Sequence, residues 1–440
     1  MMKNKLINFS NVPIWDDSSQ VLRSGRLGLL CNQTAWHPET GEYLFETFYK
    51  RSGQSNRLKK VFIPEHGLFG ELQDQVKLEG NVLYRDLEFD DCEFVSLYGG
   101  DESSLNVKPE KINDLDALVV DLQDVGVRYY TFISTLRNLF ITLAEKSINI
   151  PVYIIDRENP AGPQVEGSPL KSGYGSFIGI EGLPHRHGLT IGEIACYFHA
   201  ELSADFQLNI ISHKVGILAA KGAAADNAGN RIADNAFNRF FPWTVPPSPN
   251  IPGFFTCDFY SGQCLWEGTN VSEGRGTTRP FEVFGAPWME TLLAYNKKAG
   301  FKNWNDIGHP LFDPGAALRW HYFIPTFHKH KDECCFGFQL VRRDGPYHAL
   351  LHAIKIIRFI KKQCSGFSFR PGKYEAGNDK TAIELLAGDP IILDCLYNEE
   401  NMKITELENY FKQEETKWID KTCEFRLYDE PLRSVSGQNI

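Results

Sequence analysis

The chain has 440 residues and a formal net charge of −10, with 46 lysines and arginines against 56 aspartates and glutamates. No Lys/Arg run stands out, which argues against a nucleic-acid or anionic-membrane partner. The length exceeds what one ordinary core holds and points to two domains. No window approaches the roughly 20 apolar residues of a membrane span.

The ten cysteines form no Cys-x-x-Cys and no zinc-like pairing with histidine, so no metal site is expected. Several sit in apolar runs such as Leu30-Cys31 and Ala195-Cys196, a usage that suits a reducing compartment. The opening M-M-K-N-K-L-I-N-F lacks the apolar core of a secretory signal. The expectation is a cytoplasmic protein, or a periplasmic or envelope one if a leader has been removed.

In chain order, strand-like runs fall at 26–32, 60–64, 93–98, 117–122, 152–156 and 208–212. Helical spacing marks 131–146, where Phe132, Ile133, Leu136, Leu139, Phe140 and Leu143 share a face. Thr190 and Glu193 read as a capping box opening a helix over 191–202. Strands alternating with helices imply a parallel sheet covered on both faces, a Rossmann-like domain over residues 1–245. No G-x-G-x-x-G follows the first strand and no Walker loop appears, so no nucleotide cofactor is expected. The proline-dense stretch 241–253 reads as a semi-rigid hinge. A smaller α+β domain over 246–440 follows, with helices near 287–298, 348–362 and 405–417, the last opened by a Thr-x-x-Glu pair.

The chemistry-bearing residues cluster where predicted strands end. Val61-Phe62-Ile63 runs into Pro64, which stops the strand, and Glu65-His66 follow before Gly67 and Gly70. Open α/β sheets bind ligands at that edge. Asn32, the segment Asp121–Tyr130 and Asp156-Arg157 end three more strands, making a polar rim. Asp124, Arg128 and Tyr130 there suit a hydroxylated, acidic ligand, although Arg128 could instead pair with Asp124. Glu166 reads as a ligand contact or, more readily, as a carboxylate lying behind one. Arg186 and His187 precede a helix amino terminus, where free N–H groups favour an anion. The segment Glu267–Pro280 interleaves glycine and hydroxyl residues with two acids and two arginines, among them Asn270, Glu273, Arg275 and Thr278, as a scaffold-borne binding loop would.

Together these stretches resemble the exo-β-N-acetylmuramidases of the NamZ type. The matching motifs are P-E-H-G-L-F-G (64–70), D-L-Q-D-V-G-V-R-Y-Y-T (121–131), D-R-E-N-P (156–160), V-E-G (165–167), R-H-G-L-T-I-G-E (186–193), P-P-S-P-N-I-P (246–252) and E-G-T-N-V-S-E-G-R-G-T-T-R-P-F-E (267–282). The resemblance implies an active-site cleft between a Rossmann-like domain and a carboxyl-terminal α/β domain. It implies removal of single N-acetylmuramic acid units from non-reducing ends of peptidoglycan glycans or derived disaccharides, and it lands the family's motif glutamate on Glu65. Glycoside cleavage needs a proton donor and a second stabilising group. Glu65 is expected as general acid, His66 as the group that orients it, and Asp124 or Glu273 as second carboxylate. The lactyl carboxylate of muramic acid needs a cation, with Arg128, Arg186, His187 and Arg275 as the pool. Asn32, Tyr130, Glu166, Asn270 and Thr278 complete the expected substrate contacts. The alternatives are a non-catalytic muropeptide-binding protein and an esterase, the latter disfavoured by the lack of a G-x-S-x-G elbow. Oligomeric state is not legible.

Overall fold

The computed structural model describes the chain apart from residues 1–4, 13, 15–18, 39, 52–56, 74–88, 90, 99–104, 213–244, 376–377, 399 and 436–440. Its larger sheet has seven strands: β1 (Ile7–Ser10), β2 (Leu27–Cys31), β3 (Leu58–Ile63), β4 (Glu93–Ser96), β5 (Ala117–Asp121), β6 (Val152–Ile155) and β7 (Leu208–Ile211). They run in the order β1-β7-β6-β5-β2-β3-β4, every neighbouring pair parallel. The six predicted runs are six of these strands. The seventh, β1, is a half-exposed edge strand whose sequence I-N-F-S carries no apolar run.

Alternate residues of the central strands serve two apolar layers, as a period of two requires when both faces are covered. Leu30, Phe62, Leu118, Val120, Val152, Ile154 and Ile210 face one layer. Leu29, Val61, Val119, Tyr153 and Ile155 face the other. The first layer continues without a break into the carboxyl-terminal half, through Trp266, Phe284, Ile383, Leu407 and Trp418. A second sheet, antiparallel, is built from β8 (Val283–Ala286), β9 (Ala316–Phe323) and β10 (Cys335–Arg342) in the order β8-β10-β9.

The chain turns back across the larger sheet between β2 and β5, so the strand order reverses there and opens a crevice at the carboxyl ends. The helix Phe132–Glu145 starts beside this crevice. The helix Ile191–Glu201 has the expected capping box, Thr190 accepting from the Glu193 amide and Glu193 from the Thr190 amide. Two expectations are corrected. The helix predicted from Thr405 begins at Ile404, and Glu406 caps it by accepting from the Lys403 amide (2.9 Å), leaving Thr405 inside the first turn. The helix predicted over 287–298 is a 3-10 turn, Pro287–Leu292, followed by a short α-helix, Leu293–Ala299. Residues 241–244 of the proline-rich stretch lie outside the described residues, but Pro246 and Pro247 are tied down. Their carbonyls accept from Gln33 Nε2 at 2.9 and 3.0 Å, at the end of β2. No described helix is long and apolar enough to cross a membrane.

Candidate active site

A cleft of about 850 Å³ opens at the carboxyl ends of the parallel strands and takes its opposite wall from the carboxyl-terminal half. Pro64 ends β3 and delivers Glu65 into this cleft. His66 follows at φ 73° and Gly67 at φ 88°. Two successive left-handed residues turn the chain sharply, and for histidine that conformation is strained, a feature that concentrates at functional sites. Thr131, the residue before the helix Phe132–Glu145, does not cap it with its side chain; its hydroxyl donates to Glu65 Oε2 at 2.6 Å. His66 Nδ1 donates to the Leu72 carbonyl at 3.1 Å, since a carbonyl can only accept, which leaves Nε2 as the unprotonated nitrogen of the neutral ring. Burial lowers the His66 pKa, with the Glu65 charge opposing and Arg275 adding to the shift, so the ring is neutral at pH 7.

The facing wall carries a second acid, Glu267. It sits in the 3-10 turn Cys264–Gly268, whose Trp266 is fully buried and stacked on Phe284 with ring centroids 4.8 Å apart. Gly268 packs so closely that a Cβ would lie 2.7 Å from the Ile383 backbone, which locks the turn. Glu267 Oε1 accepts from Arg275 at 2.7 Å, and Oε2 accepts from the Tyr374 hydroxyl. The Arg275 guanidinium lies 5.1 Å over the Phe281 ring. Its Nε is 3.4 Å from Glu273.

Four of the sequence-derived site residues line the cleft: Glu65, His66, Tyr130 and Arg275. The others lie elsewhere, for identifiable reasons. Glu273 is fully buried behind Arg275, with Lys329 Nζ at 2.7 Å and His328 Nδ1 at 2.9 Å. Burial alone would raise its pKa, but Lys329, His328 and Arg275 outweigh that and hold it well below the usual carboxylate range. Asp124 is buried beside His187 Nε2 (3.2 Å) and accepts from the Gly126 amide (2.8 Å), so it and His187 brace a loop. Arg128 does not pair with Asp124. It is fully buried, with the carbonyls of Ser168, Leu183, Leu386 and Ala387 and the His185 ring as acceptors. Burial pulls its pKa down to about 10. Arg186 spends its charge on Glu166 at 2.9 Å, and Glu166 also accepts from Ser261 (2.8 Å) and the Leu350 amide (3.1 Å). Asn32 accepts from the Thr34 amide and hydroxyl. Asn270 clamps residues 366 and 368, and Thr278 is exposed, outside the cleft lining.

Glu267 opens the loop singled out above but carries no separate signal in the sequence, and Ser248 and Asn250, part of the expected hinge, both line the cleft. Tyr260, Phe281 and Tyr374 complete this part of the wall and carried no signal of their own.

A cleft at the strand-order reversal of a parallel sheet, with Glu65 and Glu267 among the five glutamates in its walls, suits a glycosidase, and comparison with known proteins agrees. Residues 27–254 match the family model for the amino-terminal region of exo-β-N-acetylmuramidase NamZ, and residues 259–428 match that for its carboxyl-terminal region. The peptidoglycan β-N-acetylmuramidase NamZ of Bacillus subtilis (strain 168) is 33% identical over 348 residues, spanning 78% of this chain and 75% of that protein. Crystal structures of two DUF1343 family proteins from Bacteroides fragilis NCTC 9343 share the fold, each at 22% identity. They superpose with TM-scores of 0.68 and 0.63, over 93% and 94% of this chain and 96% of each of those chains. The chain therefore belongs to the exo-β-N-acetylmuramidase NamZ family, a family of glycosidases.

Proposed function

We propose that this protein releases terminal β-linked N-acetylmuramic acid from the non-reducing ends of peptidoglycan glycans or of MurNAc–GlcNAc fragments. One observation carries the reading: Glu65 and Glu267, supplied by different halves of the chain, line the same cleft, and each accepts a hydrogen bond from a side-chain hydroxyl that fixes its direction. Glycoside hydrolysis needs such a pair, one acid to protonate the leaving oxygen and one carboxylate to stabilise or attack the oxocarbenium-like centre. In this scheme Glu65 is the general acid and the neutral His66 ring orients it. Glu267 replaces Asp124 and Glu273 as the second carboxylate, because it lines the cleft and they do not.

Arg275 is the one member of the expected cation pool in the cleft wall, and it takes the lactyl carboxylate. Its guanidinium is hydrogen-bonded to Glu267 at 2.7 Å, while Glu273 beside it is also compensated by Lys329 and His328, so in this reading the lactyl carboxylate shares Arg275 with Glu267. Tyr260 and Phe281, edge to face at 4.7 Å, give the sugar ring an apolar wall. The test is incubation with MurNAc–GlcNAc followed by proton NMR of the freshly released sugar. Release of N-acetylmuramic acid is expected, and its anomeric signal reports the stereochemistry. Ligand-induced stabilisation without any product would instead identify a muropeptide-binding protein.

A further inference from the structure

The cleft is longer than the Glu65–Glu267 region. One side of the helix Phe132–Glu145 and the residue before it line it on successive turns, from Thr131 at Glu65 through Ser134 to Arg137 and Asn138. At the helical rise of 1.5 Å per residue this floor extends about 10 Å beyond the carboxylate pair. Facing it is a short hairpin, residues 173–182, of which seven consecutive residues, 175–181, line the cleft. Its tip is closed by reciprocal backbone hydrogen bonds between Ser176 and Gly179 (2.9 and 3.2 Å). Glu181 holds its base through the Gly173 amide (2.8 Å), and Glu375 holds its tip through the Ile178 amide (3.1 Å). The hairpin is thus fixed at both ends, and it presents Phe177 to Tyr98, which follows β4, with ring centroids 5.9 Å apart and planes inclined by 38°.

Two hydroxyls in this outer half point to the kind of ligand. Ser134 Oγ, on a residue only 3% exposed, is buried in the wall without a hydrogen-bond partner among the described residues. Ser176 Oγ, beside Phe177, is likewise buried and unpartnered. Buried polar groups are normally satisfied, and a set left open in a cleft wall fits a ligand that brings its own hydroxyls. Aromatic rings beside open hydroxyls match a pyranose, whose faces are C–H surface and whose rim is polar.

We infer that Phe177 and Tyr98, with Ser134, Ser176 and Asn138 around them, bind the sugar on the leaving-group side of the scissile bond, an N-acetylglucosamine unit in the substrates proposed above. The inference rests on that proposal for the identity of the bond and on this outer wall for the position of the sugar. The terminal sugar lies between Glu65 and Glu267, and the rest of the glycan leaves along the Ser134–Asn138 side.

Phe177→Ala is the direct test, with Phe177→Tyr as the variant that keeps a ring and with unchanged thermal unfolding as the check on folding. The selectivity for MurNAc–GlcNAc over the methyl β-glycoside of N-acetylmuramic acid, as a ratio of kcat/KM, should fall about tenfold in Phe177→Ala, mainly through KM, and return in Phe177→Tyr. Binding of free N-acetylglucosamine, followed by saturation-transfer NMR and needing no turnover, should weaken in parallel. An unchanged ratio, or equal losses on both substrates, would overturn the subsite. Should the wild type hydrolyse neither substrate yet lose N-acetylglucosamine binding on Phe177→Ala, the hydrolytic reading falls and the sugar site stands. Binding unaltered by the substitution removes the site whatever the turnover.

Discussion

Two pairs of glutamates, each brought together from distant parts of the chain, meet very different surroundings in the folded molecule. In one, Glu65 and Glu267 line the cleft, each held by a hydroxyl. In the other, Glu166 and Glu415 are fully buried. Glu166 is saturated by Arg186, Ser261 and Leu350, and Glu415 by the Gly167 amide, His348 and Ser434. The first pair is placed to meet a ligand, while the second ties residues 166–186 to the helices Ala349–Gln363 and Ile404–Thr422. What separates a carboxylate at the cleft from a buried structural one here is the supply of donors around it, which is set by residues distant in the chain.

Substitutions should divide along the same line. The largest effect expected is Glu65→Gln, which should lower kcat on MurNAc–GlcNAc by about 10³-fold, in the range for loss of a general acid, with the unfolding midpoint unchanged. Glu166→Ala should do the reverse. It leaves Arg186 buried without its main partner and should cost about 3–5 kcal/mol in denaturant unfolding. Activity per folded molecule should stay near wild type under conditions where the variant is folded. Glu267→Gln should lower kcat by about 10²-fold and, because it removes the charge paired with buried Arg275, also lower stability; equal turnover by this variant would return the second-carboxylate role to another group.

The smallest expected effect sharpens the comparison by pH. Burial by itself lowers the His348 pKa, but Glu415 and Glu166 outweigh it, with Lys355 opposing them, so the folded value lies above the ordinary 6.5. A raised histidine pKa contributes stability that is fully present below 6.5 and is lost as pH rises through the folded value. The difference in Tm between wild type and His348→Gln should therefore shrink as pH rises above 6.5, where the ring loses its proton and Nδ1 accepts from the Leu351 amide (3.2 Å), a bond only the neutral ring can make. A difference that grows with pH would show that His348 is buried neutral.

Much of the larger sheet was legible because each central strand is a short apolar run buried on both faces, and Glu65 because a proline stops its strand at the ligand edge. The exposed edge strand β1 was not, since I-N-F-S carries no such run. Glu267 and Glu273 could not be told apart in a loop with both acids. Lys329 and His328, contributed from far along the chain, consume Glu273 and leave Glu267 at the cleft. Arg128 looked like an anion binder because it leaves a predicted strand end among acids and tyrosines, with pairing to Asp124 as the alternative. Only the fold shows five acceptors wrapped around its guanidinium. The hairpin carrying Phe177 has neither alternation nor helical spacing, so nothing in it announced a cleft wall.

The most direct test is a crystal structure of Glu65→Gln with unhydrolysed MurNAc–GlcNAc bound. The glycosidic oxygen should lie within hydrogen-bond distance of the side chain at position 65, with the anomeric carbon facing Glu267 and the lactyl carboxylate on Arg275. A disaccharide seated away from these residues, with neither position 65 nor Glu267 near the glycosidic bond, would contradict the assignment of the two carboxylates.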